Sequence, residues 1–97
     1  MAKSTSEPKD ILERKVRVKN DLGLHTRPAT VIVKMLQNVK SDVLMSHRKE
    51  TVNAKSIMSL LMLAAAKNSQ ILIRVAGEDA TEVMGRLVEA FETGFGE

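Results

Sequence analysis

The stretch Lys15-Val16-Arg17-Val18-Lys19-Asn20-Asp21-Leu22-Gly23-Leu24-His25-Thr26-Arg27-Pro28-Ala29 changes its period part-way along, and that change sets the architecture. Lys15 to Lys19 alternate charged and β-branched residues, the period-two pattern of a strand with one wet face. Asn20-Asp21-Leu22-Gly23 is turn chemistry. Pro28 suits the first turn of a helix, where its missing N–H removes no intrahelical bond, so a helix opens between Thr26 and Pro28. Ala29, Ile32, Val33, Leu36 and Val39 continue it at helical spacing. The triplet Val31-Ile32-Val33 would also suit a strand, but the proline and the longer period favour helix.

Outward from this unit, Asp42 to Met45 and Glu50 to Asn53 are short strands joined by Ser46-His47-Arg48-Lys49, a polar connector without the usual hairpin glycine. Ser56 precedes the apolar run Ile57 to Leu63 and is placed to cap a short second helix with its hydroxyl. Gln70 to Gly77 is the strongest strand, with Ile71, Ile73 and Val75 on one face and Arg74 on the other. Asp79 with Glu82 three residues on gives a capping-box-like start to a third helix, whose stripe is Ala80, Val83, Met84, Leu87, Val88 and Phe91. Gly85 inside it costs about 1 kcal/mol relative to alanine and points to close packing; Gly94 is a natural stop. The order β-α-β-β-α-β-α gives an α+β fold with helices on one side of an antiparallel sheet. It begins like a ferredoxin-like arrangement, so topology alone names no function.

At 97 residues and 10.7 kDa the chain holds one small domain, and 43% hydrophobic with 28% charged residues is enough for a packed core. Residues 1–13, rich in Lys, Ser, Thr, Glu and Pro, read as flexible. The absence of cysteine excludes thiol enzymes, iron–sulfur carriers and cysteine-based zinc modules, and fits a reducing cytoplasm. Without an apolar leader or a membrane-length apolar run, the protein is expected to be soluble and unexported, with no direct membrane insertion. A net charge of +3 permits anionic partners. Nucleic acid is disfavoured, because the only aromatic rings, Phe91 and Phe95, lie together at one end of the sequence. No P-loop is present, and two histidines are too sparse for a metal site, so no cofactor or metal is expected.

His25 follows a glycine turn at the mouth of the first helix, with Arg27 and the hydroxyls of Thr26 and Thr30 nearby. A helix start points unpaired N–H groups and a positive dipole end at an incoming phosphate, and an arginine adds charge-assisted hydrogen bonds. The same field disfavours a second proton on the ring, which keeps a lone pair available for a phosphoryl group. No carboxylate, serine or lysine close in sequence completes a hydrolytic set, so His25 is an acceptor and not a full enzyme. On the residues alone, a plain helix-capping role and the reactive role stand even. His47, in the hairpin connector, reads as a solvated turn residue.

Gly23-Leu24-His25-Thr26-Arg27-Pro28-Ala29 resembles the active-site signature of HPr, the histidine-containing phosphocarrier family of the bacterial sugar phosphotransferase system. Val52-Asn53-Ala54-Lys55-Ser56-Ile57-Met58 resembles the same family's regulatory-serine motif. The likeness covers residues 12–97 and leaves residues 1–11 as a tail. It implies an open-faced β-sandwich, four antiparallel strands with three helices on one face. It also implies that His25 accepts phosphate on Nδ1 from enzyme I, itself charged from phosphoenolpyruvate, and passes it to enzyme IIA domains for sugar uptake. Arg27 would stabilise the group, with Thr26 at the helix start.

Serine at an N-cap needs no explanation beyond capping, but the resemblance implies that Ser56 is a target of HPr kinase/phosphorylase. It also implies a docking patch of Thr30, Lys34, Lys55, Ile57, Met58 and Leu61 on a monomeric carrier. The alternative is a regulatory paralogue that acts mainly as a Ser56-phosphorylated partner of transcriptional regulators. Ser46-His47-Arg48 and Lys67-Asn68-Ser69 depart from the family in lacking glycines often found there.

Overall fold

Strand β1 (Ile11–Arg17) opens the computed structural model, which describes residues 11–97. Residues 1–10, most of the expected tail, lie outside the described residues. Alternation alone places the strand start at Lys15, and this is corrected: Ile11, Leu12 and Glu13 pair with Ala76, Val75 and Arg74. Side-chain period does not register a ladder that a distant strand completes, and Leu12 packs against the core.

Helix α1 (Thr26–Met35), strands β2 (Asp42–His47) and β3 (Glu50–Asn53), helix α2 (Ile57–Met62), strand β4 (Gln70–Ala76) and helix α3 (Ala80–Glu92) follow in the expected order. The sheet order is β1-β4-β2-β3 and every neighbouring pair is antiparallel. Val16, Val43, Met45, Ile71, Ile73 and Val75 line the buried side of the sheet, while Glu13, Lys15, Arg17 and Arg74 face outward. The three helices cover the buried side and contribute Ile32, Leu60, Leu87 and Phe91 to one core. Each such side chain is worth about 1.5–3 kcal/mol of burial.

Four local expectations change. Helix α1 stops at Met35, and Val39 belongs to the turn beyond it, where its N–H donates to the Leu36 carbonyl (3.2 Å). Asp79 does not cap α3 with its side chain. Its carboxylate instead accepts the backbone N–H groups of Lys40 (2.9 Å) and Ser41 (3.0 Å) and the Ser41 hydroxyl. The hydroxyl is the main reason that this carboxyl is held below its usual range. The glycine-poor connectors turn on other residues: Arg48 has φ 58° and Asn68 φ 74°. Asparagine tolerates this conformation, whereas arginine pays about 1–2 kcal/mol for it.

Gly85 is the fourth. It is exposed, and a Cβ there would meet nothing within 4 Å, so close packing is not its reason for being glycine. Gly85→Ala should therefore stabilise the protein by about 0.5–1 kcal/mol. In thermal unfolding that is a rise of roughly 2–8 °C, and an unchanged or lower midpoint would show a constraint on α3 beyond helix propensity.

Candidate functional site

The segment ahead of α1 is suspended from the loop between α2 and β4. The Gly23 N–H closes a turn on the Asn20 carbonyl (2.9 Å), and the next N–H, of Leu24, donates to the Ala65 carbonyl (2.9 Å). Lys67 holds Asp21 across the same gap (2.7 Å), and that hydrogen bond with its charge keeps the Asp21 carboxyl low. Leu24 is buried, so the chain emerges at His25 with its direction set.

His25 is the N-cap residue of α1, in extended conformation, and its side chain makes no capping bond. The first N–H to reach back is that of Ala29, to the His25 carbonyl (3.0 Å). Pro28 has no N–H, and those of Thr26 and Arg27 have no partner among the described residues. Such a helix start is fitted to an anion. The His25 side chain is 31% exposed, and its Nδ1 makes no hydrogen bond among the described residues. Arg27 is exposed beside it. The Thr30 hydroxyl is turned back onto its own helix, donating to the Thr26 carbonyl (2.8 Å).

The other ring nitrogen, Nε2, lies 3.4 Å and 3.3 Å from the two carboxylate oxygens of Glu97. Sequence distance hid this neighbour, and nothing in local spacing could have revealed it. Asn20, read as a turn former, is 5% exposed and its Nδ2 donates both to Glu97 Oε1 and to the Gly94 carbonyl (2.8 Å). The Glu97 carboxyl is held low, first by the Asn20 hydrogen bond, then by His25, with a further contribution from Arg27.

Ser56 caps α2 as expected, its hydroxyl accepting the Ser59 N–H (3.2 Å). Helix α2 packs on α1, and Lys55, just ahead of α2, donates from Nζ to the Val39 carbonyl in the turn beyond α1 (3.0 Å). Lys34 is exposed on the last turn of α1. Of the apolar residues singled out, Met58 is 73% exposed while Ile57 and Leu61 are half-buried against the core. Leu22 and Met62, outside the expected docking patch, are exposed to 77% and 71%. His47 corrects another expectation: it is half-buried with Nδ1 3.0 Å from the Leu63 carbonyl, at the end of α2. Among the described residues, no group of three or more potential ligands is placed to hold a metal, and no helix is long and apolar enough to cross a membrane.

A family model described as the PTS HPr component phosphorylation site matches residues 12–93. The chain belongs to the HPr family. The phosphocarrier protein HPr of Chlamydia pneumoniae is 39% identical over 95 residues, spanning 98% of this chain and 88% of that protein. Among solved structures, HPr-C-His from Thermoanaerobacter tengcongensis superposes with a TM-score of 0.84 at 32% identity, covering 89% of this chain and 97% of that one. An HPr dimer from the same organism has a TM-score of 0.67 at 35% identity, covering 84% and 94%. HPr membership agrees with the open-faced sandwich and with both sequence motifs.

Proposed function

We propose that this HPr-family protein is a stoichiometric carrier that accepts a phosphoryl group on His25 from phospho-enzyme I and donates it to enzyme IIA domains during sugar uptake. The observation that carries this reading is a partly exposed imidazole at an open helix start, with Nδ1 unengaged among the described residues. In the transfer, the Nδ1 lone pair attacks phosphorus, a nitrogen–phosphorus bond forms, and the bond to the donor breaks with its electron pair staying on the donor. The unpaired N–H groups of Thr26 and Arg27 and the Arg27 guanidinium are suited to receive the phosphoryl oxygens. An exposed site stabilises the bound group only modestly, which a reversible relay needs, and the partner supplies the rest of the transition state. On this reading the carrier works in the cytoplasm, and as a monomer in its transfer cycle. The test is acid-labile labelling of the wild type from phosphoenolpyruvate and enzyme I, with none on His25→Ala.

The same reading makes Ser56 a regulatory site for HPr kinase/phosphorylase. A phosphate there adds about −1.5 to −2 charge at the start of α2, beside the half-buried Ile57 and the exposed Met58. HPr kinase with ATP is expected to place acid-stable label on Ser56, and Ser56→Asp to slow transfer from phospho-enzyme I severalfold. Unchanged transfer by Ser56→Asp would remove the regulatory role and leave only the cap, whose loss in Ser56→Ala costs about 1 kcal/mol.

A further inference from the structure

Strands β2 and β4 stay paired only as far as Ser46 and Leu72. Beyond that pair they part: β2 turns at Arg48 into β3, while β4 keeps to β1 as far as its first residue, Gln70, opposite Arg17. The gap is an open cleft of about 480 Å³, lined by Ser46, His47, Arg48, Ser69, Gln70 and Leu72. Its walls are held from both sides. Arg17 donates from Nη1 to the Asn68 carbonyl (2.8 Å), the Asn68 N–H donates to the Val18 carbonyl (2.7 Å), and the Val18 N–H to the Ser69 carbonyl (2.9 Å). Opposite, His47 Nδ1 lies 3.0 Å from the Leu63 carbonyl, and the hydroxyls of Ser46 and Thr51 are 2.8 Å apart. Walls fixed in this way lose little freedom when a ligand enters.

The charge around the cleft has one sign. No carboxylate lines it, and Glu50, the partner of His47 in the β2–β3 ladder, stays outside the lining. Arg48 is exposed and makes no ion pair among the described residues. Lys15 and Arg17 stand opposite Leu72 and Gln70 in the β1–β4 register, on the outward face of the sheet. Arg48 also sits at φ 58°, a conformation that glycine adopts freely and that costs an arginine stability. Backbone strain of this kind persists where the side chain serves a site.

We propose that this cleft is an anion site, separate from the helix start at His25, for a small phosphate monoester with a hydroxyl-bearing body. The planar Arg48 guanidinium can offer two N–H groups to two phosphoryl oxygens, and Lys15 and Arg17 add positive charge from the β1 side. The hydroxyls of Ser46 and Ser69 and the Gln70 amide are partners for ligand hydroxyls, and the half-buried Leu72 gives its carbon skeleton an apolar floor. In so open a cleft the dissociation constant is expected to be on the order of 1 mM.

The test titrates isotopically labelled full-length protein with α-glycerophosphate and follows the backbone amides by NMR. Saturable shifts are expected at Arg48, Ser69 and Gln70, and none there from glycerol. Arg48→Gly should weaken this binding at least about tenfold, the loss of a hydrogen bond to a charged group. Its thermal midpoint should rise by roughly 2–8 °C, because the left-handed turn no longer carries a Cβ. Affinity and stability moving in opposite directions separate a lost binding group from a damaged fold. Arg48→Lys, which keeps the charge without the fork, should bind with intermediate affinity. Shifts confined to Thr26 and Arg27 would overturn the proposal by leaving the helix start as the phosphate site. Equal shifts from sodium chloride at the same ionic strength, or unchanged affinity in Arg48→Gly, would overturn it as well.

Discussion

A His25→Ala variant is expected to take no acid-labile phosphate from phospho-enzyme I, a loss of at least about 10³-fold, as removal of a nucleophile produces. The result is interpretable because the substitution leaves the fold in place. The His25 side chain makes no capping bond to α1, it is partly exposed, and the helix is anchored by the buried Ala29 and Ile32. No other imidazole can substitute, since His47 is half-buried against the Leu63 carbonyl on a different part of the surface. The phosphate taken up by the wild type should be released in acid, and circular dichroism should be the same for both proteins. Acid-labile label on a folded His25→Ala protein would move the acceptor elsewhere and end the proposed relay.

Gly23→Ala is expected to destabilise the protein by roughly 2–4 kcal/mol, summing a left-handed backbone cost and an overpacking cost. Gly23 has φ 73°, and an added Cβ would lie 2.4 Å from the Ala65 carbonyl oxygen and 3.0 Å from the Ala66 Cα. These are backbone atoms, so the clash cannot be relieved by a rotamer change. The same carbonyl receives the Leu24 N–H, one residue before His25. The variant should therefore unfold roughly 8–30 °C lower, and phosphotransfer should slow even where the protein remains folded. A midpoint within a degree or two of the wild type would show that the two loops separate freely. Gly85→Ala, with the same chemical change on an open helix face, should shift the midpoint upward.

The parts of the site made by neighbours in sequence were legible in advance. Pro28 marked the start of α1, the Ser56 hydroxyl caps α2 as its position implied, and Ile71, Ile73 and Val75 line the core from β4. Those features depend on periods of two to four residues, the range over which side-chain pattern and capping act. Asp79 shows the limit of such reasoning. It sits where a helix cap is expected, yet its carboxylate serves Lys40 and Ser41, donors that only the returning chain brings within reach.

By itself, the sequence determined the element order, the buried face of each strand and the two motifs that carry the family likeness, because each is written in residues close together along the chain. The tertiary structure alone decided that β1 begins at Ile11, that Leu22, Met58 and Met62 stand exposed, and that Glu97, bonded by Asn20, lies beside His25. Those contacts join residues up to 77 positions apart. Their geometry follows from how helices and sheet pack around one core, which no local window contains.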